Sequence, residues 1–154
     1  MKKIYTVGYE GKTQDDLLKL ISEKGIRHLV DVRTSTGSQR SEFCGDALKK
    51  FLFNKGILYK HIKELGGLNV EDYTERMQTE GWRQAFLDLL EFASEAPTVI
   101  MCMEKEPSKC HRRFISQKLE EMGWDVIHLD RGGSWKGSTL DDFTETQEKR
   151  SRST

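Results

Sequence analysis

Cysteine is scarce in this chain: three among 154 residues, an odd count with no CxxC pair, which speaks against a disulfide framework and against a standard zinc finger. Reduced thiols are the expectation. Charge of one sign is missing as well, because 25 Lys and Arg balance 25 Asp and Glu. Bulk electrostatics therefore demands neither nucleic acid nor an anionic membrane, although local basic clusters can still take up phosphate. No uninterrupted apolar segment approaches the roughly 20 residues needed to cross a bilayer, so no membrane partner is expected. The basic and then apolar start, MKKIYTV, is cut short by Gly8, Tyr9 and Glu10 before it reaches the length of a secretory segment, and a cytoplasmic protein is expected. The length fits one domain, and 36% hydrophobic with 32% charged residues is an ordinary soluble composition with a core to bury.

What is present is alternation. Strand-like and helix-like segments follow one another along the chain, the signature of βα units around a mostly parallel sheet. Residues 3–8 (KIYTVG) read as a first strand. Residues 15–23 place Leu17, Leu18 and Ile21 on one helical face, with Thr13 as N-cap and Gly25 as stop. Residues 28–33 form a second strand, 45–54 a second helix with Ala47, Leu48, Phe51 and Leu52 inward, and 57–62 a third strand. The connection KELGGLNVEDYTERMQ holds a glycine pair and a short helix. Residues 82–93 make an amphipathic helix ended by Pro97, and 98–103 (TVIMCM) a strand apolar enough to be buried on both faces. A helix with Ile115, Leu119 and Met122 on one stripe stops at Gly123, before a last strand at 124–129.

Beyond Arg131 the composition turns to Gly, Ser, Thr and charge. RGGSWKGS has a mixture that can stack on single-stranded nucleic acid, but reads rather as a flexible loop in which Trp135 packs over a pocket mouth as a lid, with a short helix near 140–147 and a mobile polar end. The expectation is a three-layer α/β domain over residues 1–140 and a polar tail over 141–154. Its sheet is mainly parallel, of about five strands, with helices on both faces.

On this scaffold polar residues gather at the carboxyl ends of successive strands: Tyr9 and Glu10, Asp31 and Arg33, His61 and Glu64, Cys102 and Glu104, and His128. In an open parallel sheet those ends lie along one edge, where loops assemble a pocket. The alternative is a set of unrelated capping and surface residues.

Four short motifs sharpen this. TVGYEG at 6–11, DVR at 31–33, ELGG at 64–67 and CMEKEPSKCHR at 102–112, in that order, resemble the domain of unknown function 488 family over about residues 4–130. The resemblance implies a three-layer α/β fold and an intracellular bacterial or archaeal protein, and brings no established reaction or catalytic residues. The chain departs from the family pattern after DVR, where prolines and a serine-arginine pair are usual. Here the loop is TSTGSQRSEF, with Arg33, Ser38, Arg40 and Phe43 in the corresponding places.

Read as chemistry, Cys110 near a helix start beside Lys109, Arg112 and Arg113 has the setting of a thiolate, against a reading as small buried packing next to Phe114. Cys102 sits in an apolar strand and reads as packing. A zinc site from Cys102, Glu104, Cys110 and His111 lacks a recognised spacing, and no metal is assigned. Phosphatase and rhodanese loops need an arginine at a fixed offset after the cysteine, but Ile115 and Ser116 follow Cys110 by five and six residues, and Pro107 and Ser108 follow Cys102.

An anion site fits better. Ser108, His111 and Arg112 open a helix, and Arg33 and Arg40 add a second clamp, unless Arg33 instead neutralises Asp31 or Glu64. Asp31 and Arg33 share one side of their strand. Glu104, leaving a buried strand, is the preferred acid/base among Glu10, Glu64 and Glu104, with His61 and His128 as proton carriers or structural residues. Gly66 and Gly67 permit close backbone approach or act as a hinge. The expected function is an enzyme, a hydrolase or transferase, acting on a phosphate-bearing or otherwise anionic ligand such as a nucleotide or nucleic acid. Catalysis falls to Glu104, Cys110 and His111. Binding falls to Tyr9, Glu10, Asp31, Arg33, Arg40, His61, Glu64, Gly66, Gly67 and Arg112. The cofactor is left open by the sequence. The alternatives are a non-catalytic nucleic-acid or nucleotide-binding module and a metal or thiol redox site.

Overall fold

Period-two and period-3.6 patterning becomes strands and helices in strict alternation over most of the chain. The computed structural model describes residues 2–66, 73–104, 112–130 and 133–136. Its strands are β1 (Lys3–Gly8), β2 (His28–Asp31), β3 (Leu58–His61), β4 (Thr98–Cys102), β5 (Asp125–Asp130) and β6 (Gly133–Lys136). Its helices are α1 (Gln14–Glu23), α2 (Gly45–Phe53), the single turn α3 (Tyr73–Arg76), α4 (Glu80–Glu95) and α5 (Arg112–Glu121). The strands lie in the order β3-β2-β4-β1-β5-β6. The first five run parallel and β6 returns antiparallel to β5. Among the described residues no helix is long and apolar enough to cross a membrane.

The caps read from sequence are present. Thr13 Oγ1 accepts from the Asp16 amide at 3.0 Å while Asp16 Oδ2 accepts from the Thr13 amide at 2.9 Å, a reciprocal box that satisfies two orphan donors of α1. Beyond α1, Gly25 adopts φ +68°, a left-handed conformation open to glycine at no steric cost. Thr79, a cap that the sequence reading does not include, serves α4 in the same sense, accepting from the Trp82 amide.

Alternation along each strand splits the core into two layers. Ile4, Val30, Ile100, Cys102 and Val126 pack with Trp82, Phe86 and Leu89 of α4 and Ile115 and Leu119 of α5. Val7, Leu29, Val99, Met101 and Leu129 pack with Leu17 and Ile21 of α1 and Leu48 and Leu52 of α2. Every residue of β4 is buried, which explains its unbroken apolar run. A buried aliphatic side chain contributes about 1.5–3 kcal/mol relative to an exposed one, so the two layers dominate the favourable side of folding.

One expectation is corrected. The segment containing Trp135 is not a loop: Gly133–Lys136 is a sixth strand, with His128 opposite Trp135 in the antiparallel register. The glycines and serine hid a strand whose stability comes from pairing with the open edge of β5. The last parallel strand also runs one residue later than expected, Asp125–Asp130. The expected short helix near 140–147 and the tail over 141–154 lie outside the described residues.

Candidate functional site

β1 and β4 are neighbours, and their onward connections part. The chain leaves β1 through α1 on one face towards β2, beyond β4; it leaves β4 towards α5 on the other face and β5, beyond β1. This is a topological switch point, the kind of place where open α/β sheets as a class bind their ligands. The two chain segments stay paired as they exit, the Tyr9 amide donating to Cys102 O at 3.1 Å and the Glu10 amide to Met103 O at 2.8 Å.

On the α1/α2 face Asp31 is the hub. It is fully buried, and its carboxylate accepts from the Arg33 backbone amide at 3.1 Å, from Arg33 Nε at 2.9 Å, from Arg33 Nη2 at 2.6 Å and from Tyr59 Oη at 2.5 Å. Period-two spacing puts Asp31 and Arg33 on one side, as expected, and the guanidinium forks onto the carboxylate. Burial opposes the charge on Arg33, but the bonds and the field of Asp31 outweigh it and raise its pKa. Burial and the adjacent carboxylate also hold the Tyr59 phenol protonated well above the usual tyrosine range, against a smaller opposing pull from Arg33. Arg33 further lies over the Tyr9 ring, 5.3 Å from its centroid, and Tyr9 stacks on Phe43 at 4.4 Å. His61 Nε2–H donates to the Arg33 carbonyl at 2.7 Å.

The expected arginine clamp is not assembled as one unit. Arg33 is committed to Asp31, and Arg40 pairs with Glu42 at 3.0 Å while covering Phe43. Arg112 stands on the α4/α5 face, buried, with Nη1 donating to Thr6 Oγ1 at 3.1 Å and Nη2 to the Glu104 carbonyl at 2.7 Å. The sheet separates Arg33 from Arg112. Because a guanidinium only donates, Thr6 Oγ1 accepts from Arg112, and the same hydroxyl is hydrogen-bonded to His128 Nδ1 at 2.5 Å. His128 is buried within β5, a structural partner in this network.

Cys102 is packing, buried among the residues of the α4/α5 layer, with its thiol donating to the Glu104 carbonyl at 3.7 Å. The Glu104 carbonyl thus accepts from both Cys102 and Arg112, and its side chain is half-buried just beyond the end of β4. Glu10 is exposed beside it in the paired exit, and Glu64 is half-buried in a single helical turn, Lys63–Leu65. Gly66 is a point of close approach. A Cβ there would stand 2.6 Å from the Thr34 amide nitrogen, so the ELGG turn is pressed against the loop following Arg33. Cys110, His111 and Gly67 lie outside the described residues. Among the described residues no group of three or more His, Cys, Asp and Glu side chains is placed to hold a metal ion.

Several functional-looking residues escaped the sequence reading. Lys12 is buried, its ammonium donating to the Gly8 carbonyl and pairing with Asp130 Oδ1, both at 2.8 Å. Its only signal was its place directly after TVGYEG. Tyr59 reads as a strand hydrophobe, and its bond to Asp31 depends on β2 and β3 being neighbours. A cleft of about 380 Å3 beside this hub is lined by Thr36, Gly45, Asp46, Lys49, Tyr59, Lys60 and His61. Of these only His61 was singled out. A second cleft, about 410 Å3, lies at the opposite edge of the sheet between Lys2, Lys3, Lys24, Pro97 and Trp124.

A family model described as Domain of unknown function DUF488 matches residues 13–119. No curated protein and no solved structure matches the chain.

Proposed function

This chain belongs to the family described as Domain of unknown function DUF488, and on that premise, which brings no reaction with it, we propose an enzyme acting on a phosphate-bearing or otherwise anionic ligand, a nucleotide or nucleic acid, at the carboxyl edge of the sheet. The supporting observation is where the buried charge lies. Lys12, Asp31, Arg33 and Arg112 are the charged side chains buried among the described residues, and all four belong to segments at or following the carboxyl ends of strands. Burying a charge costs several kcal/mol unless it is paired and hydrogen-bonded. A domain that concentrates this cost along one edge holds polar groups rigidly there.

In this reading Asp31, Arg33 and Arg112 are positioning residues. Asp31 and Arg33 fix Tyr9, Tyr59 and His61, while Arg112 fixes the backbone of Glu104. Glu104 acts as the acid/base, with Cys110 and His111 assisting. Tyr9 and Glu10 line the wall, and Arg40, Glu64, Gly66 and Gly67 border the approach. Glu104→Gln tests the assignment: turnover of nucleotide and phosphoester substrates should fall by about 100-fold or more with affinity little changed. A wild-type protein that turns over none of them, yet binds oligonucleotides with steep salt dependence, would instead be a recognition module.

A further inference from the structure

If the carboxyl edge takes an anionic ligand, as proposed above, the donors and acceptors around the cleft beside β3 restrict which one. Tyr59 carries a single hydroxyl proton, and Asp31, an acceptor only, lies on it at 2.5 Å. With that proton committed and Arg33 donating to the same oxygen, Tyr59 Oη can offer the cleft only its remaining acceptor capacity, and burial beside the carboxylate keeps it from ionising. His61 has committed its Nε2–H to the Arg33 carbonyl, so only Nδ1 of the ring is left to a ligand. Asp46, also lining the cleft, accepts only.

Cationic donors are fewer. Lys60 has its ammonium 5.4 Å over the Phe92 ring, which belongs to the packing of the α4/α5 face, so its charge is drawn to the other side of the sheet. Lys49 remains, three residues after Asp46 and therefore a near neighbour on the surface of α2. Gly45 keeps the floor open: a Cβ there would stand 2.7 Å from Thr36 and 3.2 Å from Tyr59 Oη.

Inorganic phosphate is mostly acceptor and would meet the lone pairs of Tyr59 and Asp46 without reward. A ligand matched to this lining brings hydroxyl donors at one end and an anionic group at the other, and about 380 Å3 is within the range of small-molecule sites. We propose that the cleft binds a phosphorylated sugar, with its hydroxyls donating to Tyr59 Oη and Asp46 and its phosphate at Lys49.

The test is an amide-resolved NMR titration of the full chain with ribose 5-phosphate, ribose, inorganic phosphate and adenosine 5′-monophosphate. Ribose 5-phosphate should shift the amides of Gly45, Asp46, Lys49, Tyr59 and His61, and bind about tenfold or more tighter than phosphate. The exposed substitutions Asp46→Asn and Lys49→Gln, which leave the core intact, should each change one half of the recognition. Asp46→Asn should lower the ratio of ribose 5-phosphate to phosphate affinity by about threefold or more, and Lys49→Gln should weaken both phosphates. Adenosine 5′-monophosphate bound more tightly than ribose 5-phosphate would identify the sugar phosphate as part of a nucleotide. Equal affinity for phosphate and ribose 5-phosphate at the carboxyl edge would overturn the sugar recognition and leave the anion site standing. No shift at that edge with any of the probes would overturn both.

Discussion

Asp31 accepts four hydrogen bonds while fully buried, and its removal is the most informative single substitution. Asp31→Ala strands a buried guanidinium, which should cost about 3–5 kcal/mol in urea unfolding. Replacing both partners with apolar residues, Asp31→Leu with Arg33→Met, should recover the part of that loss that comes from the stranded guanidinium, while the Tyr59 hydroxyl and the Arg33 amide stay without their acceptor. A double variant no more stable than the single one would show that the pair does more than neutralise itself. Tyr59 supplies a pH signature. Its folded pKa lies above the ordinary value of 10.0, so its contribution is complete below that pH and is lost as pH rises through and beyond it. The stability difference between wild type and Tyr59→Phe should therefore shrink between about pH 9 and about pH 11.5, with a delayed phenolate absorbance missing from the variant. The Asp31–Arg33 pair was legible in advance, because period-two spacing is a property of one strand. Tyr59 was not, since its partner lies on another strand.

At the scale of elements, local chemistry was a good guide wherever the signal was local. Thr13, Gly25 and Gly123 mark helix limits as their residue types suggest, and the fully buried β4 follows from an apolar run that no half-exposed strand would carry. β6 was missed, because a four-residue strand of Gly, Ser, Trp and Lys has little propensity of its own and exists through pairing with β5. The ELGG turn sits between these cases. Its glycines advertised close approach without saying to what, and the neighbour is the backbone of Thr34. Gly66→Ala should cost about 1–3 kcal/mol through that overlap. The variant should also displace the loop after Arg33, read as shifted amides from Thr34 to Arg40 in an otherwise native spectrum.

Over the whole molecule, the order β3-β2-β4-β1-β5-β6 decides what the polar residues can do together. It puts β1 beside β4 and creates the switch point. It sets His61 in register with Asp31. It also divides the arginines between faces, so that three residues which looked like one clamp are committed separately, Arg33 to Asp31, Arg40 to Glu42 and Arg112 to Thr6 and the Glu104 carbonyl. The sequence alone determined the alternating elements, the cap of α1, the two apolar layers and the gathering of polar residues at the carboxyl ends of the strands, because periodicity and capping are written into neighbouring residues. Only the tertiary structure decided which strands are neighbours, that Asp31 joins Tyr59 to Arg33, that Lys12 is buried on Asp130, and that a cleft with its own donor and acceptor pattern opens beside β3. Those are contacts between residues far apart in the chain, fixed by the packing of helices across a twisted sheet rather than by any local pattern.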